Sequence, residues 1–271
     1  MKRFVTLLLA LTMLLVGVMS FSSCGQKDDW KTVEERGYFY CGITLYEPMN
    51  YFDDDGNLVG FDTEFAKAVA EYLGVEAKFQ VIDWPSKYME LESGAIDLIW
   101  NGFTYGEEKD GVSRTEYVDF TYAYLENRQC LVTKADRVDE LNSADALKGK
   151  NAVAEGGSSG EALAVTLTDE DKVTSFDSQA AALMEVKAGN ADFAIIDYQM
   201  ANSMVGQGDY TDLAINQAIQ PESEVYAIGC RKGSSLTEKI NEAIVALYEN
   251  GTLAKIAAKY NLTNDLVTEF K

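Results

Sequence analysis

The sequence predicts an α/β protein of two lobes joined by a two-strand hinge, with a ligand cleft between the lobes. Three observations predict it. Strand-like and helix-like segments alternate from Tyr38 onward, the pattern of largely parallel sheets covered by helices. A second series of the same kind starts near Leu147. Two strand-like stretches, 128–134 and 224–232, bracket residues 135–223, so the chain leaves one lobe, builds another and returns. Paired crossing segments of this sort make a hinge, and hinge closure is a common way to trap a ligand.

The first residues have the order of an export signal. Lys2 and Arg3 precede an apolar run from Val5 to Met19, which is shorter than the ~20 residues that span a bilayer. Small residues then lead to Cys24, and Phe21-Ser22-Ser23-Cys24-Gly25 resembles a bacterial lipobox with Phe where Leu is usual. The expected layout is a signal peptide over 1–23 and a lipidated tether over 24–33, anchored by Cys24 to the outer face of the cell membrane. Ordinary cleavage near Ser23, leaving Cys24 a free thiol, is the alternative.

The first lobe is expected over 34–127 together with 233–271. Tyr38 to Thr44 reads as a buried strand. Asp53-Asp54-Asp55-Gly56-Asn57 fails the spacing of a calcium loop and reads as a tight hairpin turn. Asp62 is expected to cap a helix with Phe65, Val69, Tyr72 and Leu73 on its apolar face and Gly74 as its stop. Val75 to Ile82 is a strand, Pro85 to Leu91 a helix, and Ala95 to Trp100 a buried strand. In the second lobe Asn151 to Ala154 is a strand, and the turn 156–160 opens a helix at Glu161. Gln179 to Lys187 is a helix and Ala191 to Ile196 a strand with Asp197 at its end. Helices are expected over Leu236 to Tyr248, Leu253 to Tyr260 and Leu262 to Phe270.

Composition excludes several kinds of chemistry. The chain has no histidine, so Ser-His-Asp and Cys-His sites and the usual zinc sites are ruled out. Its 44 acidic side chains against 23 basic ones give a net charge of −21, which repels nucleic acid and other polyanions. Beyond Cys24, the cysteines Cys41, Cys130 and Cys230 lie in strand-like surroundings and read as buried thiols; a bridge between Cys130 and Cys230 stays open as an alternative.

A set of short motifs then recurs in a fixed order. It runs Tyr46-Glu47-Pro48-Met49, Gly60-Phe61-Asp62, Ser93-Gly94-Ala95-Ile96-Asp97, Asn101-Gly102-Phe103-Thr104, Val118-Asp119-Phe120 and Gly189-Asn190-Ala191-Asp192, and closes with Leu247-Tyr248-Glu249-Asn250-Gly251-Thr252. The set resembles the polar amino-acid family of extracellular solute-binding proteins, family 3, over residues 38–262. The resemblance implies a type II periplasmic-binding fold. It also implies a monomer that captures a free amino acid, passes it to the permease of an ABC importer, and carries no cofactor, metal or catalytic residue.

A free amino acid needs a basic fork or helix-terminal amides for its carboxylate and acidic or carbonyl acceptors for its ammonium. The resemblance assigns the ammonium to Asp197, the Gly102 carbonyl and the Thr104 hydroxyl. It assigns the carboxylate to the Thr104 amide and to an arginine. Counted forward from Thr104 that position is Lys109; counted back from Phe120, with an insertion over 106–112, it is Arg114. Arg114 is preferred because only arginine offers a planar two-point fork. Taken alone, Asp197 and Arg114 have plainer readings, as a helix cap and a surface ion pair with Glu116 or Asp119. Ser158 and Ser159, in a glycine-rich turn before a helix, can present amides to the carboxylate or simply cap that helix.

Tyr46, Trp84, Ile43 and Phe103 are the expected side-chain pocket, aromatic walls giving large contact area at low entropy cost. Ile43 stands where relatives that bind basic amino acids often carry an acid, so a neutral or polar ligand is expected, with Glu47 or Glu155 the residues able to substitute. The alternatives are a cyclohexadienyl dehydratase-like enzyme, with Glu155 or Glu107 as general acid, or an extracellular ligand-sensing domain. The second is disfavoured by the lack of a further apolar segment.

Overall fold

Residues 28–109 and 111–270 are described by a computed structural model. The leader and Cys24 lie outside them. After a short helix α1 (Asp29–Arg36), strand β1 (Tyr38–Ile43) is central in the first sheet. A hairpin follows, β2 (Tyr51–Phe52) with β3 (Leu58–Val59), and the acidic turn 53–57 closes it. Helix α2 (Phe61–Leu73) buries Phe61, Phe65, Ala66 and Val69, and stops at Gly74, which adopts φ +75°. That left-handed backbone costs a glycine little.

Next come β4 (Glu76–Val81), a 3-10 turn at Trp84–Ser86, α3 (Lys87–Ser93) and β5 (Leu98–Ile99). The segment expected as an insertion forms a second hairpin, β6 (Glu108–Lys109) against β7 (Val112–Ser113), which delivers the chain to a 3-10 turn at Arg114–Glu116 and then to β8 (Val118–Phe120). The long strand β9 (Leu125–Lys134) crosses to the second sheet. There α4 (Ala144–Leu147), β10 (Ala152–Glu155), α5 (Ser159–Leu167), β11 (Val173–Phe176), α6 (Gln179–Ala188), β12 (Phe193–Asp197), α7 (Tyr198–Met204) and β13 (Leu213–Asn216) alternate. The return runs through β14 (Ser223–Tyr226) and β15 (Gly229–Arg231) to α8 (Leu236–Glu249) and α9 (Thr252–Lys259).

The first sheet has the order β4-β1-β5-β15-β8 and the second β11-β10-β12-β9-β13. Within each sheet the first three strands are parallel, while β15 and β8, and likewise β9 and β13, run antiparallel to their neighbours. The sheets are therefore more mixed than strand–helix alternation suggests, because the crossing strands enter each sheet reversed. Between the sheets β9 pairs antiparallel with β14, from Leu125 opposite Tyr226 to Arg128 opposite Ser223.

Three local expectations need correcting. Asp62 does not cap α2: Gly60 holds the cap position, and the Asp62 carboxylate turns inward to accept from the Gly102 amide at 2.8 Å and the Tyr124 hydroxyl at 3.0 Å. The third C-terminal helix is absent. Asn261 takes φ +61°, only a 3-10 turn forms at Thr263–Asp265, and the chain then extends so that the Val267 amide donates to the Tyr124 carbonyl at 3.1 Å. Finally, the stretch expected as a tether up to residue 33 is already helix α1 from Asp29, with Val33 buried. Cys41, Cys130 and Cys230 are buried free thiols as expected, and Cys130 and Cys230 sit in different sheets. Burial pushes the Cys230 thiol up to about 12.

Candidate functional site

Four strand ends from the two sheets meet at one place. β1 leads into Thr44, β5 leads into Asn101 and Gly102, β10 ends on Glu155 and β12 on Asp197. Ligands in open α/β sheets bind beyond the carboxyl ends of the strands. The cavity here is lined by Asn101, Gly102 and Thr104 from one sheet, by Glu155, Ser158 and Asp197 from the other, and by Trp84 and Arg114 on its rim. It holds about 10 Å³ of free space, no more than roughly one water molecule needs. A larger cavity of about 640 Å³ opens beside it, shares Arg114 and Ser158, and is further lined by Lys87, Tyr88 and Glu107.

Asp197 occupies the N-cap position of α7, yet its side chain makes no capping hydrogen bond. The carboxylate faces the cavity instead, where Oδ1 accepts from Asn127 Nδ2 at 2.6 Å and Gln129 Nε2 at 2.8 Å, and Oδ2 accepts from Gln179 Nε2. The same two amides on β9 donate to Glu224 Oε1 at 2.6 and 2.9 Å. Two carboxyl groups thus share two donors. Burial pushes Asp197 up, against the pull of these hydrogen bonds. Glu224 is raised to about 7, by burial first and by the charge of Asp197 second.

Opposite them, Arg114 is 7% exposed. Its guanidinium lies over the Phe103 ring at 4.8 Å, and Nη1 donates to the Thr104 carbonyl at 3.0 Å. Among the described residues it forms no ion pair with Glu116 or Asp119; Asp119 pairs with Lys232 at 2.7 Å. Lys109, the other position considered for the carboxylate, lies in the hairpin strand β6. The Thr104 hydroxyl donates to Glu224 Oε1 at 3.2 Å and takes a hydrogen bond from Ser159 Oγ at 3.1 Å.

Ser158 caps α5, its Oγ accepting from the Glu161 amide at 3.1 Å. The first-turn amides of such a helix have no acceptor within it and carry a partial positive charge. Gly160 lets this turn approach β12, since a Cβ there would stand 2.6 Å from the Ile195 carbonyl oxygen.

The structure therefore brings Arg114, Thr104, Ser158, Ser159, Gly102, Asp197 and Trp84 together. Three pocket expectations fall elsewhere. Ile43 and Phe103 are fully buried core residues, and the Phe103 ring packs edge-on against Trp84 with centroids 5.7 Å apart. Tyr46 is also core; its hydroxyl meets the Tyr226 hydroxyl at 2.7 Å, so it stands behind the wall rather than in it. A Cβ on Gly102 would lie 2.7 Å from the Tyr46 ring.

The sequence reading missed Asn127, Gln129, Gln179 and Glu224. Asn127 and Gln129 are two apart on β9, and in a strand that spacing places them on one face. Their polarity beside an apolar run is the signal that could have found them. Glu155, expected from the sequence only as a substitute or a general acid, belongs to the cavity lining. It is 3% exposed, and its Oε1 has no hydrogen-bond partner. Burial, followed by the charge of Asp197, raises it to about 8.

Residues 41–263 match the model of the bacterial extracellular solute-binding proteins, family 3. The chain is 30% identical over 250 residues to the L-cystine-binding protein TcyJ of Escherichia coli strain K12, covering 91% of each chain. It is 29% identical over 262 residues to the arginine-binding extracellular protein ArtP of Bacillus subtilis strain 168, covering 96% of this chain and 98% of that one. Among solved structures, a histidine-bound substrate-binding protein of an ABC uptake transporter from Streptococcus pneumoniae superposes with a TM-score of 0.79 at 31% identity, covering 90% of this chain and 99% of that one.

Proposed function

The chain belongs to the bacterial extracellular solute-binding proteins, family 3, and from that membership we propose how it works: it closes its two lobes on a free amino acid and presents it to an ABC importer. The observation that carries the reading is Asp197. It stands where a capping residue would stand, leaves its helix uncapped, and faces a cavity with Arg114 on the opposite rim. An α-amino acid has its two charges arranged for that pair. Its ammonium meets Asp197, with the Gly102 carbonyl and the Thr104 hydroxyl as further acceptors. Its carboxylate meets the Arg114 fork, the Thr104 amide and the first-turn amides after Ser158, with Ser159 beside them.

The cavity has room for about one water, so the ligand enters when the lobes separate about β9 and β14 and is enclosed when they return. Residues 34–127 with 233–271 form one lobe and 135–223 the other. Binding without chemistry is the reading. A carboxylic acid held neutral in the cleft, as burial favours for Glu155, is also what a dehydratase would use as general acid; turnover of prephenate would favour that second reading. Cys24 is the lipidated anchor, the protein acts as a monomer, and its partner is the importer's permease. A Cys24→Ser protein should move from the membrane to the soluble fraction.

The test is titration calorimetry of the purified protein with the twenty amino acids, cystine and prephenate. At 100 times its dissociation constant a ligand should add about 2.7 kcal/mol of stability. Asp197→Ala and Arg114→Ala should each weaken binding by a hundredfold or more, about 3 kcal/mol, because each leaves a buried ligand charge unpaired. Lys109→Ala should bind as the native protein does. Failure of every amino acid to bind overturns the reading; loss of binding in Lys109→Ala with none in Arg114→Ala overturns the assignment of the carboxylate.

A further inference from the structure

On that reading the ammonium and carboxylate of an amino acid satisfy Asp197 and Arg114 and leave one further carboxyl of the inner cavity, Glu155, which has Thr44 as a hydrogen-bonding neighbour but one oxygen unanswered. Glu155 closes β10, lines the same cavity, and is buried with Oε1 lacking any hydrogen-bond partner. A buried carboxylate oxygen without a partner is costly, and proteins satisfy such atoms with a donor or a cation. The surrounding charge points the same way. Asp197 and Glu224 are already crowded together on shared donors, and Glu107 faces the neighbouring cavity. Arg114 and Lys87 are the cations acting on Glu155. Arg114 is directed to the Thr104 carbonyl, while Lys87 donates to the Trp84 and Gly157 carbonyls at 3.2 and 3.1 Å and lies against the Trp84 and Tyr88 rings.

We propose that Glu155 receives the positively charged end of the ligand's side chain, so that the captured amino acid carries a second cationic group and a net charge of about +1 at neutral pH. The proposal rests on the amino-acid-binding reading and narrows its ligand class. It departs from the neutral or polar side chain that Ile43 alone favours: Ile43 is enclosed in the core, and the acid stands instead on the opposite lobe, at the end of β10. The Trp84 ring lines the same cavity, and an aromatic wall suits an alkyl stem or a guanidinium.

The experiment compares ligands that differ in one charge. L-arginine is set against L-citrulline, and L-lysine against L-norleucine, on the native protein and on Glu155→Gln, by calorimetry. The expected result is a preference of at least tenfold for the cationic member of one pair, reduced to threefold or less in Glu155→Gln while binding of the neutral member persists. The proposal is overturned if the neutral member binds as tightly, if cystine outcompetes both cations, or if the preference survives in Glu155→Gln. Binding of a neutral amino acid alone would sink this inference and leave the amino-acid reading standing; binding of no amino acid at all would sink both.

Discussion

Without ligand the protein should lose stability as the pH rises from about 5 to about 8, and Glu155 should account for a measurable share of the loss. The chain has no histidine, so the side chain that ordinarily titrates in this window is missing. What titrates there instead are buried carboxyls: Asp62 and Glu224, each raised to about 7, and Glu155, raised to about 8. The sign follows from proton counting. In this interval the folded protein keeps a proton on Glu155 that the unfolded chain has already released, so the folded state binds more protons and is disfavoured as they are removed.

Each such group contributes about 1.4 kcal/mol per pH unit between its unfolded and folded values. From about pH 5.5 to about pH 7.5 Glu155 alone therefore costs on the order of 3 kcal/mol. Glu155→Gln keeps the size and neutrality of the protonated acid and removes the titration. Urea unfolding of both proteins across that range should give curves that nearly meet at the acid end and diverge with pH, the variant ending the more stable. High salt should change little, because the group is buried. Parallel curves, or a native protein that gains on the variant as pH rises, would show that Glu155 is not held protonated in the fold. A cationic ligand should counter the trend, since it favours the ionised carboxyls, and its stabilising effect should grow over the same interval.

Two other perturbations probe the frame of the site. Gly102→Ala forces a side chain onto φ +55° and sets its Cβ 2.7 Å from the Tyr46 ring, so thermal unfolding should show a loss of about 1–3 kcal/mol together with weakened ligand binding; an unchanged melting temperature would show that the loop 101–104 has room to shift. Cys41, Cys130 and Cys230 should resist a thiol-specific reagent in the native state and all react in denaturant. Rapid labelling of any of the three in native protein would contradict their burial.

The longer elements, such as β1, α2, β4, α6 and α8, were legible because each is long enough to show its period, whereas the short β11 and β13 were not; Gly74 and Gly189 mark helix ends where only a left-handed residue fits easily. Asp197 was legible by position, at the end of an apolar strand, and its expected role came only from the resemblance, since a capping aspartate and a ligand-facing one have the same sequence context. Only the missing capping bond distinguishes them. Tyr46 and Phe103 lie outside the residues that line the cavity, for the converse reason. An aromatic residue next to a cleft motif can face into the cleft or back into the core, and what decides is a distant partner, Tyr226 for one and the Trp84 edge for the other. Glu224 lies far from Asp197 in sequence and meets it only through β9, whose Asn127 and Gln129 serve both carboxyls.

The contacts that hold the lobes together explain why a small ligand can control their closure. Across the cleft, Ser159 Oγ donates to Thr104 Oγ1 at 3.1 Å, Lys87 Nζ to the Gly157 carbonyl at 3.1 Å, and Ser203 Oγ to Glu47 Oε1 at 3.3 Å. Hydrogen bonds of this kind contribute about 1 kcal/mol each, because water replaces them when they part. Closure by these bonds alone is therefore shallow. On the proposed reading, an amino acid held by Arg114 and Thr104 on one side and by Asp197 and the α5 amides on the other would contact both lobes only when they are together. It would therefore favour the closed state by its differential affinity for it. The crowded carboxyls would add to that difference: closing over Asp197, Glu155 and Glu224 without a cation favours their protonated forms, whereas closing over a cation would favour the ionised ones and gain their charge. If the ligand is cationic as proposed, its positive charge would serve recognition and the closing motion through the same residues.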